Sequence, residues 1–112
     1  MKIDYSSEGL RKKCEQGRIL NTTELNLKVV QRLRELEAAP NLLTIKKLKY
    51  LRLHPLNGKN RYELAIDVNK KVDPNRIVFE CLDWENVCDD FYNELKFVTV
   101  TWVNVLSVGD YH

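Results

Sequence analysis

The chain has 112 residues, of which 44% are hydrophobic and 30% are charged, and its formal net charge at pH 7 is +2. This size and composition predict one globular domain over residues 1–112 with a single hydrophobic core. No run of about 18 apolar residues is present, which argues against a transmembrane helix. The first residues also lack the apolar segment of a signal peptide, so we expect a cytoplasmic protein that does not associate with a membrane.

The charges are distributed unevenly along the chain. Residues 1–79 contain 17 Lys or Arg and 9 Asp or Glu, a net charge of +8. Residues 80–112 contain 1 Lys and 7 Asp or Glu, a net charge of −6. The basic part fits a contact surface for a polyanion, although for the helices alone a solvated helix face is the favoured interpretation.

The first half of the chain has helical periodicity after a short strand. Lys2–Tyr5 alternates polar and apolar residues and predicts the strand. Helices are predicted over about residues 7–17, from about residue 23 to Pro40, and over about residues 42–48. In the second helix, Arg32 and its charged neighbours are expected to lie mostly outside the apolar stripe.

Beyond residue 50 the periodicity changes to two, as in strands with one buried face. Strands are predicted over residues 62–68, 76–82 and 97–108, the last as one long or two broken strands, with a turn at 72–75. The acidic and aromatic residues 83–94 are predicted to form an excursion between strands that can include a helical turn. This order of elements predicts an α+β domain, with amino-terminal helices packed on a small antiparallel sheet.

The cysteines do not indicate a disulfide framework. Cys14, Cys81 and Cys88 are an odd number without CxxC spacing, which is typical of reduced core residues. Two of them, together with His54 and His112, are metal-ligand types, but their spacing matches no common zinc pattern. We therefore expect neither a metal nor another cofactor.

The strand half contains residue types suited to acid–base chemistry on a phosphate. His54 precedes a predicted strand, Arg76 begins the next, and Tyr111 and His112 follow the last apolar run. Histidine titrates near neutral pH, arginine holds two phosphate oxygens at once, and tyrosine donates a proton or stacks on a base. If these residues meet at one rim of the sheet, they supply a base, a cation and an acid for metal-independent RNA cleavage.

Each candidate residue also has a structural interpretation. A His-Pro pair in a loop is often structural, and Lys59 and Arg61 beside Gly58 fit an exposed turn. Tyr111 fits a core aromatic residue whose hydroxyl reaches water. Arg76, at the start of a strand, is expected to be largely exposed, so its replacement should change folding little.

Taken in order, four segments of the chain resemble HigB-type toxins of the RelE superfamily, bacterial mRNA interferases of type II toxin–antitoxin pairs. The segments are Leu53-His54-Pro55-Leu56-Asn57-Gly58, Tyr62-Glu63-Leu64-Ala65-Ile66-Asp67-Val68, Arg76-Ile77-Val78-Phe79 and Val108-Gly109-Asp110-Tyr111-His112. They match the family's His-x-Leu-x-Gly stretch, its alternating strand, its Arg-Leu-Ile-Phe and its Asp-Tyr-His end. The turn at 69–75 is longer than in the family, and the acidic segment 83–94 occurs in a longer subgroup sometimes labelled killer-suppression proteins.

The resemblance implies a RelE-like, microbial-ribonuclease-like fold and a metal-independent endoribonuclease that cleaves ribosome-bound mRNA by 2′-hydroxyl attack. It implies four catalytic positions and one RNA-binding position, and for the RNA-binding position there are two candidates. These are His54, Arg76, Tyr111 and His112 for catalysis, and Lys59 or Arg61 for RNA binding. The implied partners are mRNA, the ribosome and a HigA-like antitoxin with a helix-turn-helix.

Two other classes of function stay open at the level of sequence. One is a non-catalytic binding module of the same fold that engages an antitoxin or the ribosome through its basic helices. The other is a relative that poisons a different target, such as a topoisomerase, because fold alone does not decide activity. The two histidines argue against a relative that poisons a different target.

Overall fold

Four α-helices, one 3₁₀ turn and five strands form the part of the chain that the computed structural model describes, residues 1–56, 63–69, 73–84, 87 and 91–110. The helices are α1 (Glu8–Glu15), α2 (Thr23–Ala38), α3 (Leu42–Lys47) and α4 (Glu94–Thr99), and the 3₁₀ turn spans Lys49–Leu51. The strands are β1 (Lys2–Tyr5), β2 (His54–Pro55), β3 (Glu63–Asp67), β4 (Asn75–Cys81) and β5 (Trp102–Asp110). The fold class is α+β, as predicted, and no helix in the described ranges is long and apolar enough to cross a membrane.

The first three helices begin where the sequence predicts, because each has a side-chain cap. The oxygens of Ser7, Thr22 and Asn41 each accept a hydrogen bond from the backbone N–H three residues further on. Such a bond satisfies one of the free N–H groups at a helix start. At the other end of α2, Pro40 follows the cap residue Ala39 and cannot continue the helix.

Arg32 lies inside the apolar stripe of α2, so its predicted position was wrong. Its side chain is buried because Nε donates to the carbonyl of Val68 at 3.1 Å and Nη1 contacts Glu35 at 3.0 Å. The ring of Tyr50 lies 5.2 Å from the guanidinium carbon. A charge whose donors are satisfied in this way can be buried, but helical periodicity alone does not reveal a partner on another element.

The five strands form one sheet in the order β1-β5-β4-β3-β2, and it is mixed. β5, β4, β3 and β2 pair antiparallel, whereas β1 runs parallel to β5. The prediction of a purely antiparallel sheet was therefore wrong at β1. A parallel pair needs a long crossover between its strands, and here all the helices and the other strands lie between β1 and β5 in sequence.

All four helices pack on one face of the sheet. Buried residues of the helices, among them Val29, Leu36, Ile45 and Phe97, share one core cluster with alternate residues of the strands. Those strand residues are Leu64, Ile66, Ile77, Phe79, Cys81, Val103 and Val105. The other face carries none of the residues of this cluster, although Ala65, Asp67 and Val78 on it are buried, and we call it the open face. By strand alternation and register it is formed by Lys2, Asp4, His54, Glu63, Ala65, Asp67, Arg76, Val78, Glu80, Trp102, Asn104, Ser107 and Gly109.

The segment around Phe97 is helical and not the predicted strand. Phe97 and Val100 are both fully buried, and Phe97 packs edge-on against Trp84 at 5.2 Å and Phe91 at 5.5 Å. A short apolar run fits a buried helix as well as a strand. The segment forms a helix because this conformation turns the aromatic cluster toward the core. β5 begins only at Trp102.

A β-bulge divides β5 into two parts. Val78 pairs with Ser107 and the next residue, Phe79, pairs with Val105, so Leu106 is an extra residue on β5. Before the bulge Val105 faces the core; beyond it Val108 does. The bulge therefore reverses the alternation and sets which residues at the end of β5 lie on the open face.

The pKa shifts of Cys14 and Tyr5 predict a loss of stability in alkaline solution. Burial raises the pKa of the Cys14 thiol from 9.0 to about 11 and that of the Tyr5 hydroxyl from 10.0 to about 12. The folded state therefore holds these protons more tightly than the unfolded state, and their stabilising effect is complete below pH 9.0. We expect the free energy of unfolding to fall as the pH rises from 9.0 to about 11.

Urea unfolding between pH 7 and pH 11 measures this effect. The fall above pH 9.0 should be smaller in Cys14→Ala and in Tyr5→Phe than in wild type. An identical pH profile in all three proteins would show that these two groups are not its cause.

Candidate functional site

A buried carboxylate anchors two arginines at one end of the open face. Asp67 is 1% exposed and lies directly opposite Arg76 in the β3–β4 pair. Its Oδ1 is 2.9 Å from Nε of Arg76, and its Oδ2 is 3.1 Å from Nη1 of Arg52. We call these three residues the Arg–Asp–Arg cluster. A buried carboxylate requires such partners because leaving it unpaired costs several kcal/mol.

Arg76 is not the largely exposed residue that the sequence predicts. Its side chain is 15% exposed, and Nη1 donates both to the carbonyl of Asn75 at 2.8 Å and to the carbonyl of Asp73. These bonds hold the backbone that leads into β4. The N–H of Nε does not point at Asp67 Oδ1, which has no hydrogen-bond partner among the described residues, so that contact is an ion pair.

Arg52 is a site residue that sequence reasoning missed. It follows the 3₁₀ turn with a φ of 49°, in the left-handed region that non-glycine residues rarely adopt. Its side chain is 41% exposed, although it pairs with Asp67. The available signals were an arginine two residues before His54 and an acidic residue at the end of a strand, and neither is specific.

His54 lies on β2, opposite Ala65 of β3, and its ring orientation is fixed by the backbone. Nδ1 is 2.5 Å from the carbonyl oxygen of Arg52. A carbonyl oxygen only accepts, so Nδ1 carries the proton in this contact. Neutral His54 therefore presents Nε2 as a proton acceptor, which is the form that a general base needs.

The structure brings His54 and Arg76 onto the same face of the sheet. β3 lies between their strands, and standard strand spacings put their Cα atoms about 12 Å apart. Gly109 faces Arg76 across the β4–β5 pair, and a Cβ built there would meet no described residue within 4 Å.

Four predicted site residues lie outside the described residues. They are Lys59, Arg61, Tyr111 and His112. The last two directly follow Asp110, whose Cα partner on β4 is Asn75, the neighbour of Arg76. Their roles stay predictions.

The charge on the open face changes sign from one end to the other. The Arg–Asp–Arg cluster has one more positive than negative group. Four pairs further along β3 and β4, Glu63 lies opposite Glu80, and Asn104 donates to Glu80 at 3.1 Å. An anionic ligand is therefore attracted to the cluster end. In the described part of the chain, no group of three or more His, Cys, Asp or Glu side chains is placed to bind a metal ion.

Replacing Arg76 should destabilise the protein, contrary to the expectation from sequence. Arg76→Ala removes one partner of a buried carboxylate and two bonds to backbone carbonyls, and we expect a loss of about 3 kcal/mol in the free energy of unfolding. In an Asp67→Asn background the same change should cost at least about 1 kcal/mol less. Denaturant unfolding of the four proteins measures this coupling. Arg11→Ala, which breaks the exposed Arg11–Glu8 pair, is the control that should change little; equal losses in both backgrounds would rule out the coupling.

The backbone of Arg52 gives a second stability test. Arg52→Ala and Arg52→Gly both remove the contact with Asp67, but only glycine relieves the left-handed φ of 49°. We expect Arg52→Gly to be more stable than Arg52→Ala by about 1 kcal/mol. Thermal unfolding of both variants tests this, and an alanine variant as stable as the glycine variant would show that this backbone is unstrained.

Comparison of the chain with models of protein families, with curated proteins and with solved structures gave no match.

Proposed function

We propose that the protein is the toxin of a type II toxin–antitoxin pair, a HigB-type endoribonuclease that cleaves mRNA on the ribosome without a metal. The observation that carries the proposal is that His54 and Arg76, distant in sequence, lie on one open face of the sheet beside a net positive cluster. A base and a cation on one face of the sheet are the minimum for attack by a 2′-hydroxyl on the neighbouring phosphate.

His54 is the proposed group for one of the two proton transfers. Its Nδ1 is held by the Arg52 carbonyl at 2.5 Å, which leaves Nε2 to accept the 2′-hydroxyl proton. After transfer the imidazolium keeps the same hydrogen bond, so the ring does not need to reorient. Nε2 in its protonated form serves equally as an acid, so the roles of His54 and His112 can be exchanged.

Stabilising the charge on the phosphate and protonating the leaving group require residues other than His54. As the 2′-oxygen bonds to phosphorus, charge builds on the phosphate oxygens, and a guanidinium at the positive end of the open face stabilises it. The P–O5′ bond then breaks and the 5′-oxygen takes a proton from an acid, for which the resemblance offers Tyr111 or His112. The products are a 2′,3′-cyclic phosphate and a 5′-hydroxyl.

The partners in this proposal are mRNA, the ribosome and a HigA-like helix-turn-helix antitoxin, all in the cytoplasm. Lys59 or Arg61 adds a phosphate contact.

An exposed apolar surface favours a second candidate, a non-catalytic binding module. Tyr92, Leu95 and Val98, on and before α4, are 90%, 82% and 47% exposed. Large apolar groups this exposed and this close together are typical of a protein contact surface. A module that acts only by binding does not need His54 or His112 for its effect.

Cleavage on translating ribosomes separates the two candidates. We expect wild type to produce new cuts in a reporter mRNA, and His54→Ala to lower the rate by at least about 10²-fold because a proton-transfer group is lost. His54→Asn is the matched control, because its amide can still donate to the Arg52 carbonyl but cannot act as a base; it should be as slow as His54→Ala. Primer extension and analysis of the 3′ ends for cyclic phosphate are the measurements.

The ribosome requirement is tested with the same mRNA free in solution, which should stay intact. If wild type leaves mRNA whole on ribosomes that a known relative cleaves, the ribonuclease proposal fails. Growth arrest that persists in His54→Ala and His112→Ala would then support the binding module.

A further inference from the structure

We infer that Arg52, and not Arg76, is the main phosphate-binding side chain of this site, with Asp67 as the residue that positions its guanidinium. This inference rests on the proposed function for the identity of the phosphate, which would be the scissile phosphodiester of RNA. It adds a substrate-binding residue that neither the sequence pattern nor the resemblance indicates.

The donors of Arg76 are largely occupied. An arginine has five N–H groups. The two on Nη1 go to the carbonyls of Asp73 and Asn75, and Nε lies 2.9 Å from Asp67 Oδ1. Nε and Nη2 make no hydrogen bond to another described residue, but Nε already lies against the carboxylate of Asp67 and the side chain is only 15% exposed. A phosphate that approached this edge would meet the negative charge of Asp67, so Arg76 is poorly placed to hold two phosphate oxygens.

The donors of Arg52 are mostly available. Only Nη1 contacts Asp67, at 3.1 Å, and the side chain is 41% exposed. Nε and Nη2, which form the edge of the guanidinium that holds two oxygens at once, make no hydrogen bond to another described residue. Arg52 can therefore bind a phosphate with two parallel bonds while Asp67 keeps hold of its other edge.

Arg52 also connects the cation to the proposed base. Its carbonyl fixes the ring of His54, and its side chain reaches back to Asp67. The left-handed backbone, with a φ of 49°, allows one residue to make both contacts. The distance between Nε2 of His54 and a phosphate on Arg52 is thus set by two residues that are separated by Leu53 alone.

Asp67 explains why two arginines can be this close. Each guanidinium contacts a different oxygen of the same carboxylate, at 2.9 Å and 3.1 Å, which offsets their mutual repulsion. Among the described residues, the cluster has one more positive than negative charge, and Arg52 is the more exposed of its two arginines. An anion that binds the cluster therefore meets Arg52 first.

Binding of a 3′-phosphorylated mononucleotide tests the assignment independently of cleavage. Adenosine 3′-monophosphate is titrated at low salt, by calorimetry, into wild type, Arg52→Ala, Arg52→Lys, Arg76→Lys and Arg34→Ala. Arg34 is an exposed arginine of α2, so its variant loses the same charge away from the site.

We expect Arg52→Ala to weaken binding by about 10-fold or more, since charged hydrogen bonds are lost. Arg52→Lys should be intermediate, Arg34→Ala should bind within about threefold of wild type, and Arg76→Lys should lose less affinity than Arg52→Ala. Cleavage by Arg52→Ala should fall by about 10²-fold.

The outcomes distinguish this inference from the proposed function. If mRNA is cleaved but Arg52→Ala binds and cleaves like wild type, or Arg76→Lys loses more affinity than Arg52→Ala, the assignment to Arg52 is wrong and the ribonuclease stands. If mRNA is not cleaved but nucleotide binding depends on Arg52, the ribonuclease fails and the anion site stands. Wild type that does not bind the nucleotide overturns the inference. If Arg52→Ala does not fold, Arg52→Gly replaces it, because glycine adopts the left-handed backbone conformation without strain.

Discussion

The rest of the candidate site depends on the burial of one carboxylate. Asp67 is almost inaccessible to solvent, and burying its charge is tolerable only because two guanidiniums contact its oxygens. One of them, Arg76, ties the start of β4 to β3. The other, Arg52, ties the segment before β2 to the same point. The positions of three strands at this end of the sheet, and with them His54, are therefore set by a single electrostatic requirement.

The elements with local causes could be predicted from the sequence, whereas those decided by distant partners could not. The caps at Ser7, Thr22 and Asn41 are local, and so is the alternation in β3. Helices α1 to α3 and strands β1, β3 and β4 were therefore predicted within a few residues. The helix at Phe97 and the parallel pairing of β1 depend on packing against residues far away in the sequence, which a local pattern does not contain.

The candidate site shows the same division. His54 and Arg76 could be selected by residue type and order, and the structure puts both on the open face. The residues that contact them could not be predicted from the sequence. The burial of Arg76 depends on Asp67, and alternation alone predicts Asp67 to be a solvent-facing residue of its strand. The contribution of Arg52 depends on a left-handed backbone that no composition rule requires of an arginine.

The place of β5 in the sheet has a consequence for the order of folding. β5 comes last among the described strands, yet it lies inside the sheet, between β1 and β4. Its contact with β1 joins residues as distant as Asp4 and Trp102, which are 98 positions apart. Closing so long a loop is slow, and until it happens both β1 and β4 have unpaired edges. During synthesis there is therefore a period in which Arg52, His54 and Arg76 have been synthesised but the sheet that supports them lacks β5. Aggregation through the free edge of β4 is the hazard in that interval.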